Sequence, residues 1–486
     1  MRPILTVGQT REVDADALET VSESVLVERA GTAVATWSLR LLGGAYGRRV
    51  VVVAGKGNNG ADGRVAAERL RRRGARVDVL DAADAPERLG STVRLDLVID
   101  AAYGTGFKGS YKAPSVPAGV QVLAVDIPSG INGNTGEASG EVLRADLTVT
   151  FGALKPGLLQ GDGPPHSGRV EVAGIGLDPG RARIWLVEDA DVARLVPARP
   201  REANKWQSGV VVVAGSPGML GAASLCSRSA YRAGAGMVRL AIPGASADEL
   251  PATEAVAFEV PRHGWAPAVL EAAERCRAVV MGPGIGRDEE TRSDVRRVAA
   301  DSPVPVLVDA DGLFAMGDSG EVFEVAKSRK AGSGPIVLTP HAGEFARIFG
   351  RPPGIDKVTE ALAASGSTGC IFLLKGSTTV VARDATDARV VMSGGPNLAT
   401  AGTGDVLSGA IGAFLARGTE PLEAAALAAH AHGRAAALGP SEGLMAGDVA
   451  DLLAKWLSMQ RPSMQRLSIQ QQGPGTGHDV GDSRHG

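Results

Sequence analysis

Three turns in the first third of the sequence carry acids or amides directly after an apolar run. The first, GKGNNGADG (55–63), follows VVVV and brings Asn58, Asn59 and Asp62 into a glycine-rich loop that opens a helix. Such a loop lets backbone N–H groups approach a phosphate, while its side-chain oxygens suit a hard cation or a ribose. The second is Asp100, ending the run LVID, followed by the flexible stretch AAYGTGFKGS (101–110). The third is Asp126 in VDIPSG (125–130), with Ser129 three residues on. In an open parallel sheet ligands sit beyond the carboxyl ends of the strands, so Asn59, Asp100, Asp126 and Ser129 are expected on one edge. The plainer alternative for Asp126 is a cap on the turn at Pro128.

A fourth stretch, GGPNLATAGTGDVLSGAIGAFLA (394–416), has the form of an anion hole. Val406, Leu407, Ala410, Ile411 and Phe414 recur at helical spacing, so Gly402-Thr403-Gly404 presents unpaired N–H groups at a helix N-terminus. Asp405 falls in the first turn beside the anion, and a helix cap is its plainer reading. Phosphoryl transfer mainly needs alignment and charge stabilisation, which such a turn supplies.

These turns need strands to aim them. VVVVAG occurs twice, at 50–55 and 210–215, each time as a β-branched run ending in glycine, the mark of a buried parallel strand. Around the first copy the pattern predicts a helix over 65–73 and strands at 76–80, 97–100, 122–127 and 147–152. Helical spacing also runs over 12–42. Around the second copy it predicts strands at 210–214, 237–242, 278–281, 304–310, 335–339, 370–375 and 378–382, then a small-residue helical region over 404–438. Strands alternating with helices give an α/β class with two doubly wound domains. The copies are no fixed-offset repeat, because VDIPSG has no counterpart near 285–290. Prolines crowd 153–205, and the linker is expected at about 190–205. The tail 458–486 lacks periodicity and is expected to be disordered.

Composition excludes several classes. The 486 residues are 44% hydrophobic and 22% charged, with a net charge of −3, which gives no pull toward nucleic acid or membrane. Length alone suggests two to three domains. Cys226, Cys276 and Cys370 have no metal-like spacing and read as small buried hydrophobes in a reducing compartment. With no signal-peptide pattern and no apolar run of about 20 residues, a cytoplasmic protein is expected, as a homo-oligomer.

LVERAG (26–31), GKGNNGADG, DAAYGTGF (100–107), VDIPSG and TFGALKPG (150–157) together resemble the epimerase domain that acts on hydrated NAD(P)H. The resemblance covers about residues 5–175 and implies a Rossmann-like three-layer sandwich, placed at 1–195. It implies substrate contacts at Asn58, Asn59, Gly60, Ala61 and Asp62. Further contacts are implied at Gly104, Thr105, Gly106, Phe107, Lys108, Gly109, Ser110 and Asp126. It also implies a potassium ion held by Asn59, Asp100 and Ser129. The family has glycine where Ala61 stands, which removes no ligand. Asp126 suits the acid/base for a proton transfer at the hydroxyl or ring as the carbon–oxygen bond is broken and remade, typically worth ~10²–10⁴-fold. Lys155 is the second candidate, for a phosphate or a proton.

The AGTGD turn resembles that of ribokinase-like sugar and vitamin kinases. Four more motifs, at 215–238, 281–286 (MGPGIG), 339–348 (TPHAGEFARI) and 373–381 (LLKGSTTVV), narrow the resemblance to the nucleotide-dependent NAD(P)H-hydrate dehydratase. This covers 203–457 and implies a ribokinase-like three-layer sandwich. Hydrated-nucleotide contacts are implied at Ala222, Gly284, His341 and Asp405. Adenine-nucleotide contacts are implied at Lys375, Gly376, Ser377, Thr378, Thr379 and Gly404, with Gly402 and Thr403 in the anion hole. Asp405 becomes the base on the ring hydroxyl, ADP the phosphoryl donor (ATP being the alternative), and Mg²⁺ its companion. Jointly the motifs resemble the bifunctional NAD(P)H-hydrate repair family. The competing readings are a ribokinase-like kinase of a small hydroxylated substrate with a non-catalytic N-terminal binding domain, and a non-enzymatic scaffold.

Overall fold

The computed structural model of the protein describes residues 1–90, 94–246 and 254–460. Residues 461–486, most of the tail expected to be disordered, lie outside the described residues. Residues 458–460 instead finish the helix Ala446–Gln460.

The smaller sheet has six parallel strands in the order Arg76–Asp81, Arg49–Ala54, Leu97–Ala101, Gln121–Val125, Leu147–Phe151, Arg169–Ala173. The first valine run is buried because helices and loops cover both faces. Val50, Val52 and Ala54 enter a core with Val34, Ala66 and Leu70, while Val51 and Val53 face Leu89, Tyr111 and Leu143. Helices Glu23–Leu42 and Asn58–Arg72 meet closely at Gly31, where a Cβ would stand 2.5 Å from the Val65 side chain.

The helical stretch expected over 12–42 is two helices, Val7–Leu18 and Glu23–Leu42. The break falls in TVSES, where hydroxyl side chains favour turns and caps over helix interior. Ser22 is extended there, at φ −67° and ψ 149°.

The larger sheet has eleven strands. Seven are parallel, in the order Ile371–Leu374, Ile336–Leu338, Val306–Val308, Ala278–Met281, Gly209–Val213, Met237–Ala241, Val256–Ala257. Thr379–Ala382 and Ala388–Val391 add antiparallel pairings, then Ile184–Leu186 and Arg2–Ile4 complete the edge. Both Arg2–Ile4 and Ile184–Leu186 therefore belong to this sheet, although they precede the 190–205 stretch where composition places the linker. Within that stretch, Val192 of the helix Asp189–Leu195 enters the core of the larger sheet.

The small-residue region 404–438 is also two helices, Thr403–Ala416 and Pro421–Ala436, turned at Gly418 (φ 83°). Its small residues have a packing cause. A Cβ on Gly409 would lie 2.1 Å from the Cys226 carbonyl oxygen, and one on Gly412 would lie 2.3 Å from Val280. All three cysteines are buried and free. Among the described residues, no helix is long and apolar enough to cross a membrane.

Both valine runs occupy the same kind of position. Counted along the chain, the smaller sheet runs 2-1-3-4-5-6 and the parallel part of the larger one 3-2-1-4-5-6-7. Each run thus borders the point where strand order reverses, where a crevice opens beyond the carboxyl ends.

Candidate active sites

In the smaller sheet that crevice is a cavity of about 480 Å³, lined by Asn58, Asn59, Asp62, Gly104–Phe107, Asp126 and Lys155. The turn after the valine run must be glycine at its tightest points. A Cβ on Gly55 would lie 1.9 Å from the Ala102 carbonyl oxygen, and one on Gly60 equally close to that of Gly55. Gly60 therefore serves backbone approach. Ala61 is an ordinary helical residue, its N–H donating to the Gly57 carbonyl at 3.0 Å. Lys108, Gly109 and Ser110 are exposed on the outer part of their loop.

Asp126 sits at the end of Gln121–Val125 with φ 67°, a region costly for a non-glycine residue. Its Oδ1 accepts from Lys155 Nζ at 2.5 Å and from Thr150 Oγ1 at 3.1 Å. Lys155 is 1% exposed and also donates to Thr150 Oγ1 (2.8 Å) and the Phe151 carbonyl (3.1 Å). With three acceptors in place, its ammonium is an anchor for Asp126.

Asp62, 5% exposed, leaves Oδ1 without a partner. Burial pushes its pKa up to about 8, helped by the charges of Asp126 and Asp14. Burial likewise raises Asp14, with Lys155 opposing and Asp126 adding. Asp14 and Thr10 reach the cavity from the helix Val7–Leu18; sequence reading missed both, since nothing in VGQTREVDADAL distinguishes them from an exposed polar face. Thr150 was missed too, as one polar residue in a buried strand.

Asp100 is fully buried, accepting from Ser129 Oγ (2.6 Å) and Ser129 N (2.9 Å). Burial raises its pKa, against the pull of those bonds. Asn59 has a buried, unpartnered Nδ2, and its Oδ1 would stand 3.4 Å from a Cβ on Gly104.

In the larger sheet four successive carboxyl ends carry the candidate groups: Gly284, Asp309, His341 and Lys375. Gly284 (φ 68°) approaches Ala222, 3.3 Å from where its Cβ would be, and Gly215 N donates to the Pro283 carbonyl at 2.7 Å. His341 is exposed and caps the helix Ala342–Phe349, its Nδ1 accepting from Gly343 N (3.0 Å) and Glu344 N (3.2 Å). The turn it occupies is tied to the next strand, since Lys375 N donates to the Pro340 carbonyl at 2.9 Å.

Lys375 Nζ pairs with Asp309 Oδ1 at 2.6 Å, and Ser408 Oγ donates to Asp309 Oδ2 at 2.7 Å. Gly402 (φ 88°) caps Thr403–Ala416, and the amides of Gly404 and Asp405 have no acceptor among the described hydrogen bonds. Thr403 is buried, its hydroxyl bonded to the Leu398 and Thr400 carbonyls. Asp405 is pushed up to about 6, by burial first, then by the charges of Asp309 and Asp311, against Lys375. Gly376 and Ser377 are exposed, Thr379 donates to the Gly376 carbonyl at 3.2 Å, and Thr378 is turned inward. Asp309, Asp311 and Ser408 were missed by sequence reading. The available signal was Asp309 at a strand end, the same signal that marks Asp100 and Asp126.

A family model described as NAD(P)H-hydrate dehydratase matches residues 210–458, and one described as YjeF-related protein N-terminus matches 23–92 and 81–157. The chain is 38% identical over 496 residues to the bifunctional NAD(P)H-hydrate repair enzyme Nnr of Mycobacterium leprae, covering 96% of this chain and 100% of that one. It is 41% identical over 455 residues to Nnr of Mycobacterium tuberculosis H37Rv, covering 88% and 92%. A solved ADP/ATP-dependent NAD(P)H-hydrate dehydratase from Bacillus subtilis, 25% identical, covers 57% of this chain and 99% of its own at a TM-score of 0.49. Two α/β layers, each with candidate acids at carboxyl ends of its strands, define an α/β enzyme with two candidate sites. The chain belongs to the family of bifunctional NAD(P)H-hydrate repair enzymes.

Proposed function

We propose that the first domain (1–195) interconverts the R and S forms of hydrated NAD(P)H, and that the second (203–457) dehydrates the S form to NAD(P)H. The second step uses ADP and releases AMP and phosphate. The observation that carries this reading is Asp405, a carboxylate raised toward neutrality at a helix N-terminus with free amides. That pairing suits a base beside a phosphoryl group.

In the second site Asp405 takes the proton of the ring hydroxyl as its oxygen attacks the terminal phosphoryl group of ADP, and AMP leaves. Amides at Gly404 and Asp405 receive the transferring group; one such donor is typically worth ~10²–10³ in rate. Lys375, fixed by Asp309, offers a point charge to phosphate. Phosphate then departs with the C–O bonding pair, and a proton leaves the adjacent ring carbon, restoring the double bond. A magnesium ion carried on the nucleotide phosphates would supply further charge neutralisation, and Asp309 and Asp311, whose charges both act on Asp405, are the carboxylates that would hold it.

In the first site Asp126 gives a proton to the ring hydroxyl as the C–O bond breaks, the ring nitrogen lone pair filling the gap. It takes one back from the water that re-forms the bond on the opposite face, which inverts the carbon. Asp100, Ser129 and Asn59 fit a potassium ion: Asp100 is a fully buried carboxylate with no cationic side chain paired to it among the described residues. A monovalent cation there would supply the missing counter-charge and a fixed point for substrate oxygens. Buried free cysteines support a reducing, cytoplasmic setting.

The test is a spectrophotometric assay of hydrated NADH with ADP, ATP or neither. Return of NADH absorbance with stoichiometric phosphate release is expected with the donor nucleotide. A stable phosphorylated product would instead make the second domain a kinase.

A further inference from the structure

One short segment of the first domain touches both sites. It begins at Lys155, which holds Asp126, and continues through the turn to Gly163. At its far end the Thr378 hydroxyl donates to the Leu159 carbonyl at 2.5 Å. Beside it, the side chain of Gln160, 1% exposed, is fully used. Its Oε1 accepts from Val358 N at 3.1 Å, and its Nε2 donates to Asp356 Oδ1 at 2.8 Å and to the Asn134 carbonyl at 2.7 Å.

The segment is rigid on its own side. A Cβ on Gly136 would stand 1.9 Å from the Gln160 carbonyl oxygen, and one on Gly157 would stand 2.0 Å from that of Asn132. Leu154, Leu158 and Leu159 pack in one core with Phe372, Leu374 and Val380, the strands that flank the Lys375–Thr379 turn.

That turn has two sides. Gly376 and Ser377 are exposed, whereas Thr378 is 5% exposed and turns its hydroxyl to the Leu159 carbonyl of the other domain, with Met392 Sδ a more distant second partner at 3.4 Å. The nucleotide would meet the first side, and the second side decides how the turn is held. A turn fixed before binding loses less conformational freedom when its ligand arrives.

We propose that Leu159 is a positioning residue for the dehydratase, its carbonyl holding the Lys375–Thr379 turn through Thr378 in the form that receives an adenine nucleotide, while Gln160 fixes the segment that carries it against Asp356 and Val358. This rests on the reading of that turn as the nucleotide loop. It makes the first domain a structural part of the second domain's site.

The test uses the full chain with Thr378→Val, which keeps the shape and removes the hydroxyl, and Thr378→Ser, which keeps the hydroxyl. Losing one buried hydrogen bond should raise KM for ADP by roughly three- to tenfold in the valine variant. The serine variant should restore KM. Gln160→Met, read alongside, should raise KM in the same direction and stands in if the valine variant unfolds. An unchanged KM in the valine and methionine variants, or a serine variant as impaired as valine, overturns the proposal. A wild-type protein whose dehydration ignores nucleotide would instead overturn the functional reading beneath it.

Discussion

Lys375 Nζ lies 2.6 Å from Asp309 Oδ1, and this pair stands beside Asp405 at the head of the helix Thr403–Ala416. Asp309 raises Asp405 by its charge while Lys375 lowers it, so the base is set by a neighbouring ion pair as well as by burial.

The sign of the pH dependence follows. Asp405 works as a base only when deprotonated, so dehydration should rise with pH through about 6 and then level. Asp309→Asn removes one negative charge and frees Lys375; both changes favour the ionised form of Asp405. The rising limb should move to lower pH, even as the rate falls through loss of Lys375 placement. A pH–rate profile of the variant with its limb at the wild-type position would dissociate Asp309 from Asp405.

The two chemistries should separate by single substitutions. Asp126→Asn should slow epimerisation by ~10²–10⁴-fold while dehydration of the pure S form proceeds; Asp405→Asn should do the reverse. Chiral separation of the two hydrates and NADH absorbance read the steps independently. Joint loss of both activities in either variant would argue against two sites.

Lys155→Met should cost stability more than any exposed change in this cavity. Lys155 is 1% exposed, and its removal leaves Asp126 half-enclosed with only Thr150 as donor. Breaking a buried pair from one side typically costs about 3–5 kcal/mol. The double variant Lys155→Met/Asp126→Asn should recover part of that in a denaturant titration, because no unpaired carboxylate remains.

Much of this was legible in the chain. Alternating valines at 50–54 reach two cores, so the buried strand and its glycine turn could be read from residue type alone. Asp126 and Asp405 could be singled out because one ends a buried strand just before the Pro128 turn and the other follows the glycine turn at 402–404. Asp309 was not singled out, since an acid after VLV looks like any strand end until Lys375, far along the chain, is seen to fold onto it. The strand pairing of Ile184–Leu186 with Ala388–Val391 was equally hidden, because three-residue edge strands carry too little periodicity to read. Backbone strain was invisible as well: among the described residues two non-glycine residues have positive φ, Asp126, itself a candidate acid, and Ala310, between Asp309 and Asp311, and nothing in their types announces it.

Asp62 should leave its mark on stability. Burial, then Asp126 and Asp14, push it up to about 8, against a usual value of 3.8. Between those limits the folded chain holds a proton that the unfolded chain releases, so this group's contribution is complete below the usual value and is lost as pH rises through about 8. The slope it imposes is at most about 1.4 kcal/mol of stability lost per pH unit. Asp62→Asn keeps the shape and abolishes the titration. Denaturant unfolding from pH 5 to pH 8 should therefore fall less steeply in the variant than in wild type. Parallel slopes would mean that Asp62 is already ionised in the folded protein.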